Sequence, residues 1–374
     1  MRNLNRQQPM KYTLIIFLFL SNLSFGQTNG DIIIGIKDSL FSQKLNQNRE
    51  LIIYVPKLEN EYVQSATYPV LYLLDGDRLF TQTVGILEHL SSEYGSERCP
   101  KMIVVGVVNN NRIKDLLPIT SNDTKDNDDD FTQFLEKELI PFIDQKYPTQ
   151  QYRTILGHSL GGLRAINTLV YQSHIFNGYI ALDPSLGHDI NKWSDKAHLL
   201  LPDKKFNNKS LYLAMAQTMP NLLDTALINK DTTGASRHMR SIMRFATDIN
   251  TDNAISFNWK FYPEKTHSEV TFIGTYDGLQ SIFNWYYFPE KNTLFDPSIN
   301  SIQATGIVIE KFKTISQKMG YNFLPPEEYI MNIIGMLLQK GQKEKAIAFA
   351  KLNIKNYPKS ELAIYYLSEI EKEE

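Results

Sequence analysis

The sequence predicts an α/β fold with a mostly parallel central sheet and a small all-α C-terminal extension. Three observations predict it. Unbroken apolar runs such as "VLYLL" and "MIVVGVV" suit strands buried on both faces. Segments with helical spacing alternate with these runs, as parallel strands joined by crossover helices require. Beyond "FPEKNTLFDPSIN" (Phe288–Asn300) the chain changes character and reads as helix throughout.

In order, "DIIIGIKDSLFSQ" and "NRELIIYVPKL" are β-rich and predict an antiparallel opening pair. "YPVLYLLDGDRLF" (Tyr68–Phe80) is a buried strand stopped at Asp75-Gly76-Asp77, and "KMIVVGVVNNN" (Lys101–Asn111) another stopped by asparagines. "FTQTVGILEHLSSEY" between them has helical spacing. Phe131, Phe134, Leu135 and Leu139 make Asp130–Tyr147 an amphipathic helix. "YRTILG" is a strand and "LGGLRAINTLVYQ" a helix; "FNGYIALDPS" and "KSLYLAMAQ" are strands; Ser236–Ile249 is a helix. "AISFNWKFYPEKTH" (Ala254–His267) is the last strand and its loop, and "SIFNWYYF" is expected to close on a helix. The tail is helix, Gly341 turn, helix, "YPKS" break, helix, and resembles about one tetratricopeptide-type repeat plus a following helix. One such unit cannot bury its own face, so docking on the α/β domain or on a protein partner is expected.

The 374 residues suffice for one large and one smaller domain. Lys+Arg 39 against Asp+Glu 41 argues against an extended nucleic-acid-binding face, which phosphates would require to be basic. At the N-terminus, Arg2, Arg6 and Lys11 flank the apolar "YTLIIFLFL" (Tyr12–Leu20), and "SNLSFGQ" supplies a small-residue exit. This is a secretory signal pattern with cleavage expected after Gly26. The apolar run is shorter than the ~20 residues a spanning helix needs, so no membrane span is expected after cleavage. The expected layout is a signal peptide over 1–26, an α/β domain over 27–290 and a helical extension over 291–374, in a periplasmic or secreted bacterial protein. The single cysteine, Cys99, is far from the exit, where Gln27 stands, and cannot form an internal disulfide.

"RTILGHSLGGLRA" (Arg153–Ala165) carries the chemistry. G-x-S-x-G alone is a weak signal, but here it joins a predicted strand to a predicted helix. That turn lifts a serine hydroxyl above the sheet edge, with small residues where strand and helix cross. Ser159 is the expected nucleophile, and it needs a base. In the chain order serine, acid, histidine, the later histidines are His174, His188, His198, His238 and His267. His267 follows the last strand in a proline-bearing loop and is the expected base. His238 falls inside a helix and reads as a packing or surface residue, while His158 is expected to point away from the hydroxyl. The oxyanion hole needs two N–H groups: one from Leu160, the other from Gly76 or Asp77.

"YPVLYLLDGD", "VVGVVNNNRIKDLLP", "FLEKELIPFIDQKYPT", "RTILGHSLGGLRA", "YIALDPSL" and "YPEKTHSEV" follow one another as in the esterase family of α/β hydrolases. That family includes esterase D, feruloyl and acetyl esterases, and ferric-siderophore esterases. The resemblance covers roughly residues 30 to 290. It implies an α/β-hydrolase fold, action on carboxylic esters or thioesters, and Ser159 and His267 as nucleophile and base; with no H-E-x-x-H or clustered-cysteine pattern in the sequence, no cofactor or metal is expected. Relatives often carry an acid just after the strand matching "LYLAMAQ"; here "TMPNLLD" offers Asp224, with Asp231 next and Asp248 a helix-end charge. A Ser–His dyad stays open, since the acid orients and stabilises the imidazolium rather than doing the bond chemistry. After "DPSL" the paired tryptophans common in siderophore esterases are replaced by Gly187-His188. The acidic "NDTKDNDDD" (Asn122–Asp130) lacks the glycine and terminal glutamate of a calcium loop and reads as a solvated loop and helix cap. An ester hydrolase acting on a small-molecule or carbohydrate ester is therefore expected. An acyltransferase resembling mycolyl transferases and a weakly catalytic binding protein using the helical tail are the rivals.

Overall fold

In the computed structural model, eight strands form one sheet in the order β1-β2-β4-β3-β5-β6-β7-β8. The structure describes residues 32–57, 66–93, 95–118, 129–189, 195, 206–219, 228–249 and 254–372. The strands are β1 Ile36–Ser42, β2 Gln47–Tyr54, β3 Tyr68–Leu74, β4 Ile103–Val107, β5 Thr149–His158, β6 Gly178–Leu182, β7 Ser210–Ala216 and β8 Ser256–Tyr262. β1 and β2 are the expected antiparallel pair, and β2 joins β4 antiparallel. From β4 through β8 every neighbour is parallel.

The unbroken apolar runs follow from burial on both faces. In β3, Val70, Tyr72 and Leu74 enter one core while Leu71 and Leu73 enter the other, and all five are inaccessible to solvent. Helices Gly76–Ser91 (α1) and Val270–Ile282 (α6) cover one face. Leu160–Tyr171 (α4), Gly234–Ile249 (α5) and the consecutive segments Asp130–Gln133, Phe134–Leu139 and Ile140–Lys146 (together α3) cover the other. The short helix Arg112–Leu116 (α2) follows β4. α3 is not a uniform α-helix: its centre winds as a π-helix over Phe134–Leu139. Asp129 caps its start, accepting from Thr132 N–H (2.9 Å), as the acidic run predicted for its last residues; residues 119–128 lie outside the described residues.

β3 is the topological switch. The chain leaves it through α1 to β4 on one side, while β5 pairs on the other. Crevices open at the carboxyl ends of such strands, so residues after Leu74 and His158 face the ligand-accepting edge of the sheet.

The tail is helical as expected, with Ser301–Met319 (α7), Glu327–Gln339 (α8), Lys343–Asn356 (α9) and Glu361–Lys372 (α10). Ile330, Ile333, Leu337 and Phe349 share one core with Leu87 and Leu90 of α1. The Lys345 ammonium ties α9 to the connecting segment through the carbonyls of Leu294 (3.4 Å) and Asp296 (2.5 Å). One expectation moves. The helix assigned to "SIFNWYYF" stands upstream, over Val270–Ile282. The run is apolar on nearly every side and has no helical stripe to orient. Instead Phe283, Trp285 and Tyr286 form an aromatic joint with Tyr152 and Phe323, ring centroids 5.6–6.4 Å apart. Cys99 is buried and free.

Candidate active site

Three strand ends deliver three strained residues. Ser159 after β5 has φ 59° and ψ −115°, Asp75 after β3 has φ 56°, and Asp183 after β6 has φ 42°. Left-handed backbone costs a non-glycine residue on the order of 1 kcal/mol or more, and it persists where the surroundings over-determine it. At Ser159 they do. Its N–H donates to Leu182 O (2.9 Å), and its carbonyl accepts from Leu163 N–H (3.0 Å) and Ser185 N–H (3.0 Å). The crossing of strand and helix is tight enough to demand glycine: a Cβ on Gly157 would lie 2.2 Å from the backbone of Gly161. This is the elbow that the motif predicts, with Ser159 as N-cap of α4.

His267 lies in the loop between β8 and α6, and its imidazole Nδ1 meets Asp183 Oδ2 at 2.5 Å. The carboxylate is fully buried and the imidazole 39% exposed, so the ring can face a substrate while its far side is fixed. Asp183 accepts from two further groups. Ala216 N–H donates to Oδ1 (2.9 Å), and His238 Nε2 donates to Oδ2 (3.0 Å). Burial by itself would raise this carboxyl's pKa. The hydrogen bonds from His238 and His267, with the Ala216 amide, outweigh burial and hold it well below the usual carboxylate range. A carboxylate that stays charged at any working pH suits the task of orienting an imidazole and stabilising its protonated form.

The carboxylate that meets His267 is therefore not one of those that the family resemblance pointed to. Asp224 lies outside the described residues. Asp231 turns back on Thr233 (2.7 Å to the amide), and Asp248 pairs with Arg244 (3.6 Å). The carboxylate that meets His267 comes one strand earlier, from the "DPSL" segment. His238, read as a packing residue, turns its ring onto that same carboxylate. Little in the sequence marked either residue, because a helical histidine and an aspartate after a strand are each common. The signal that was present is "ALDPS" directly after a buried strand adjacent to β5.

His158, expected to point away from the serine hydroxyl, has its ring against that of His267, with centroids 4.4 Å apart. Its Nε2 lies 2.7 Å from His267 O, an acceptor only, so Nε2 carries the proton. Burial first, and the neighbouring His267 second, push its pKa down to about 4, so it is neutral at pH 7. The Ser159 Oγ sits 3.0 Å from Ser185 Oγ, two residues beyond Asp183.

Leu160 opens α4, and Gly76 and Asp77 open α1. First-turn N–H groups have no partner inside their helix, and the dipole makes such ends favourable for developing negative charge. The two ends are adjacent: a Cβ on Gly161 would meet Asp75 Oδ2 at 3.3 Å and Leu74 Cβ at 3.4 Å. A clamp that the motif search missed fixes them. Arg112 grips Asp75 with two bonds (Nε–Oδ1 2.6 Å, Nη2–Oδ2 2.9 Å) and donates to His158 O (3.1 Å), while Asn109 donates to Asp75 Oδ1 (2.7 Å). Asp75, Asn109 and Arg112 thus join the β3 turn, the loop after β4 and the elbow. Among the described residues, the ligand atoms of Asp183, His238 and His267 lie within 4.8 Å of one another and could hold a metal ion. Here both imidazoles are hydrogen-bonded to the Asp183 carboxylate.

A parallel sheet carrying a serine on a strand–helix elbow beside its topological switch, with an imidazole–carboxylate pair on the following strand ends, has the α/β-hydrolase fold. Within that class the chain belongs to the family described as "Putative esterase", whose model matches residues 42–274. It is 29% identical over 184 residues to ferri-bacillibactin esterase BesA of Bacillus subtilis, covering 43% of this chain and 62% of that protein. Over 151 residues it is 26% identical to the Bacillus subtilis protein YbbA, covering 38% and 58%. The chain thus spans about six-tenths of the length of these curated relatives. Among solved structures, an IroE-like serine hydrolase from Shewanella oneidensis superposes with a TM-score of 0.67 at 27% identity, covering 85% of this chain and 98% of that one.

Proposed function

We propose that the protein is an exported serine ester hydrolase working through an acyl-enzyme on Ser159. The single observation carrying this reading is the His267 Nδ1–Asp183 Oδ2 contact beside a serine held at a strained elbow. His267 takes the Ser159 proton as Oγ attacks the ester carbonyl. Asp183 holds the ring and offsets the charge that the ring gains. The Leu160 amide and that of Gly76 or Asp77 receive the oxyanion. His267 then protonates the leaving alkoxide, and water activated by the same imidazole releases the acid.

A siderophore-type ester is the preferred substrate class, because BesA is a ferri-bacillibactin esterase. Acylated carbohydrates are the second class. The signal-peptide pattern supports export; it lies outside the described residues, and among those residues no helix is long and apolar enough to cross a membrane. The tetratricopeptide-like tail is proposed as a packed extension of the hydrolase, since its helices share the core under α1.

The test is turnover of p-nitrophenyl acetate, ferri-siderophore tri-lactones, acetyl-xylan and feruloyl esters by the purified chain. It is paired with fluorophosphonate labelling. Wild type is expected to hydrolyse at least one ester and to label on Ser159, and Ser159→Ala to do neither. Unchanged turnover by Ser159→Ala would refute the mechanism.

A further inference from the structure

His238 has no place in a serine–histidine–acid triad, yet its imidazole shares an oxygen with the triad's base. Asp183 Oδ2 lies 2.5 Å from His267 Nδ1 and 3.0 Å from His238 Nε2, with the two rings nearly perpendicular (84°, centroids 5.5 Å apart). His238 stands in the N-terminal part of α5, and the turn Leu186–Asp189 after Asp183 lies against it: a Cβ on Gly187 would be 3.7 Å from His238 Cα. Its side chain is 18% exposed, so it is largely removed from competing water.

Resting on the serine-hydrolase reading above, we infer that His238 is a positioning residue for the acid, a second imidazole that fixes the plane of the Asp183 carboxylate. The need for it follows from where Asp183 sits. The residue ends β6 in a left-handed conformation, on a loop rather than within a strand. One fixed contact, Ala216 N–H to Oδ1, leaves the carboxylate free to turn about its last torsion. A donor on Oδ2 from a different element removes that freedom, so Oδ2 stays aimed at Nδ1 whether or not His267 carries the extra proton. Positioning within a few tenths of an ångström by surrounding hydrogen bonds is what such sites require.

The test compares His238→Phe, which keeps a ring without a donor, with His238→Gln, whose amide N–H can reach the same oxygen. Each is assayed in the full chain for kcat, KM and Ser159 labelling rate, with urea melts alongside. His238→Phe is expected to lower kcat and labelling rate by about ten- to a hundredfold, the range of one hydrogen bond to a charged group. KM should change by less than about twofold, because the donor that is lost serves the Asp183 carboxylate. His238→Gln should recover most of the lost rate. Wild-type kcat in His238→Phe, or equal losses in Phe and Gln variants of unchanged stability, overturns the inference. Failure of the underlying reading looks different: Ser159→Ala would then remain active whatever stands at 238.

Discussion

Replacing Asp183 by asparagine changes one atom and tests the acid assignment directly. Asp183 accepts on both oxygens: Oδ1 from an amide and Oδ2 from two imidazoles. An amide group offers one acceptor and one donor. If its oxygen faces the imidazoles, its NH2 meets the Ala216 N–H. If its oxygen faces Ala216, its NH2 meets both imidazoles, and His267 must turn or shift its proton to the nitrogen that should serve Ser159. The charge that stabilises protonated His267 is also lost. Two unit charges about 4 Å apart at an effective dielectric near 20 interact by about 4 kcal/mol, which corresponds to about 10³ in rate. Asp183→Asn is therefore expected to lower kcat on the best ester by about 10³, with KM little changed and single-turnover acylation slowed as much. Asp224→Asn, the choice that the family resemblance favoured, should leave kcat within about twofold. If Asp183→Asn retained more than a tenth of wild-type kcat, or Asp224→Asn fell by 10³, the assignment would be refuted.

Arg112→Met leaves the buried Asp75 carboxylate with Asn109 alone, and should cost about 3–5 kcal/mol in urea melts together with most ester turnover. His158 makes the fold acid-sensitive. Its folded pKa of about 4 lies below the unfolded value near 6.5, so the unfolded chain binds more protons between those pH values and stability falls as pH drops through them, by up to about 3 kcal/mol. Asp183, held below the carboxylate range, adds a slope of the same sign only below about pH 5, where the unfolded carboxyl begins to protonate, and it does so equally in both chains; urea melts of His158→Gln at pH 7.5 and 4.5 should therefore show a weaker pH dependence than wild type. Gly157→Ala would place a Cβ 2.2 Å from the Gly161 backbone, and should lower stability by at least about 3 kcal/mol and abolish labelling of Ser159.

The sheet was legible because its strands are buried on both faces, so composition alone separates them from the amphipathic helices. Ser159 and the helix after it were legible because close crossing of backbones restricts Gly157 and leaves a short readable pattern. His267 followed from strand order. The Asp183–His267 contact did not, because it depends on the adjacency of β5, β6 and β7 in space: Ser159 N–H bonds the end of β6, and Asp183 N–H bonds Ala214 of β7. Such neighbours, here 23 and 31 residues apart in the chain, carry no spacing rule. The Arg112–Asp75 clamp was hidden for the same reason, since an arginine after an asparagine-rich turn resembles any surface residue until the turn folds back on β3.

With Ser159 as nucleophile and Asp183 as acid, as proposed above, the loop after β6 binds the two together. The loop after β6 packs directly beside the elbow, so the segment that presents Asp183 also presents Ser185, whose amide bonds the Ser159 carbonyl (3.0 Å) and whose hydroxyl meets the Ser159 Oγ (3.0 Å). Nucleophile and acid are thereby locked to one four-residue stretch, Asp183 to Leu186, and the imidazole is held against that stretch from the other side by His158 and the β8 loop.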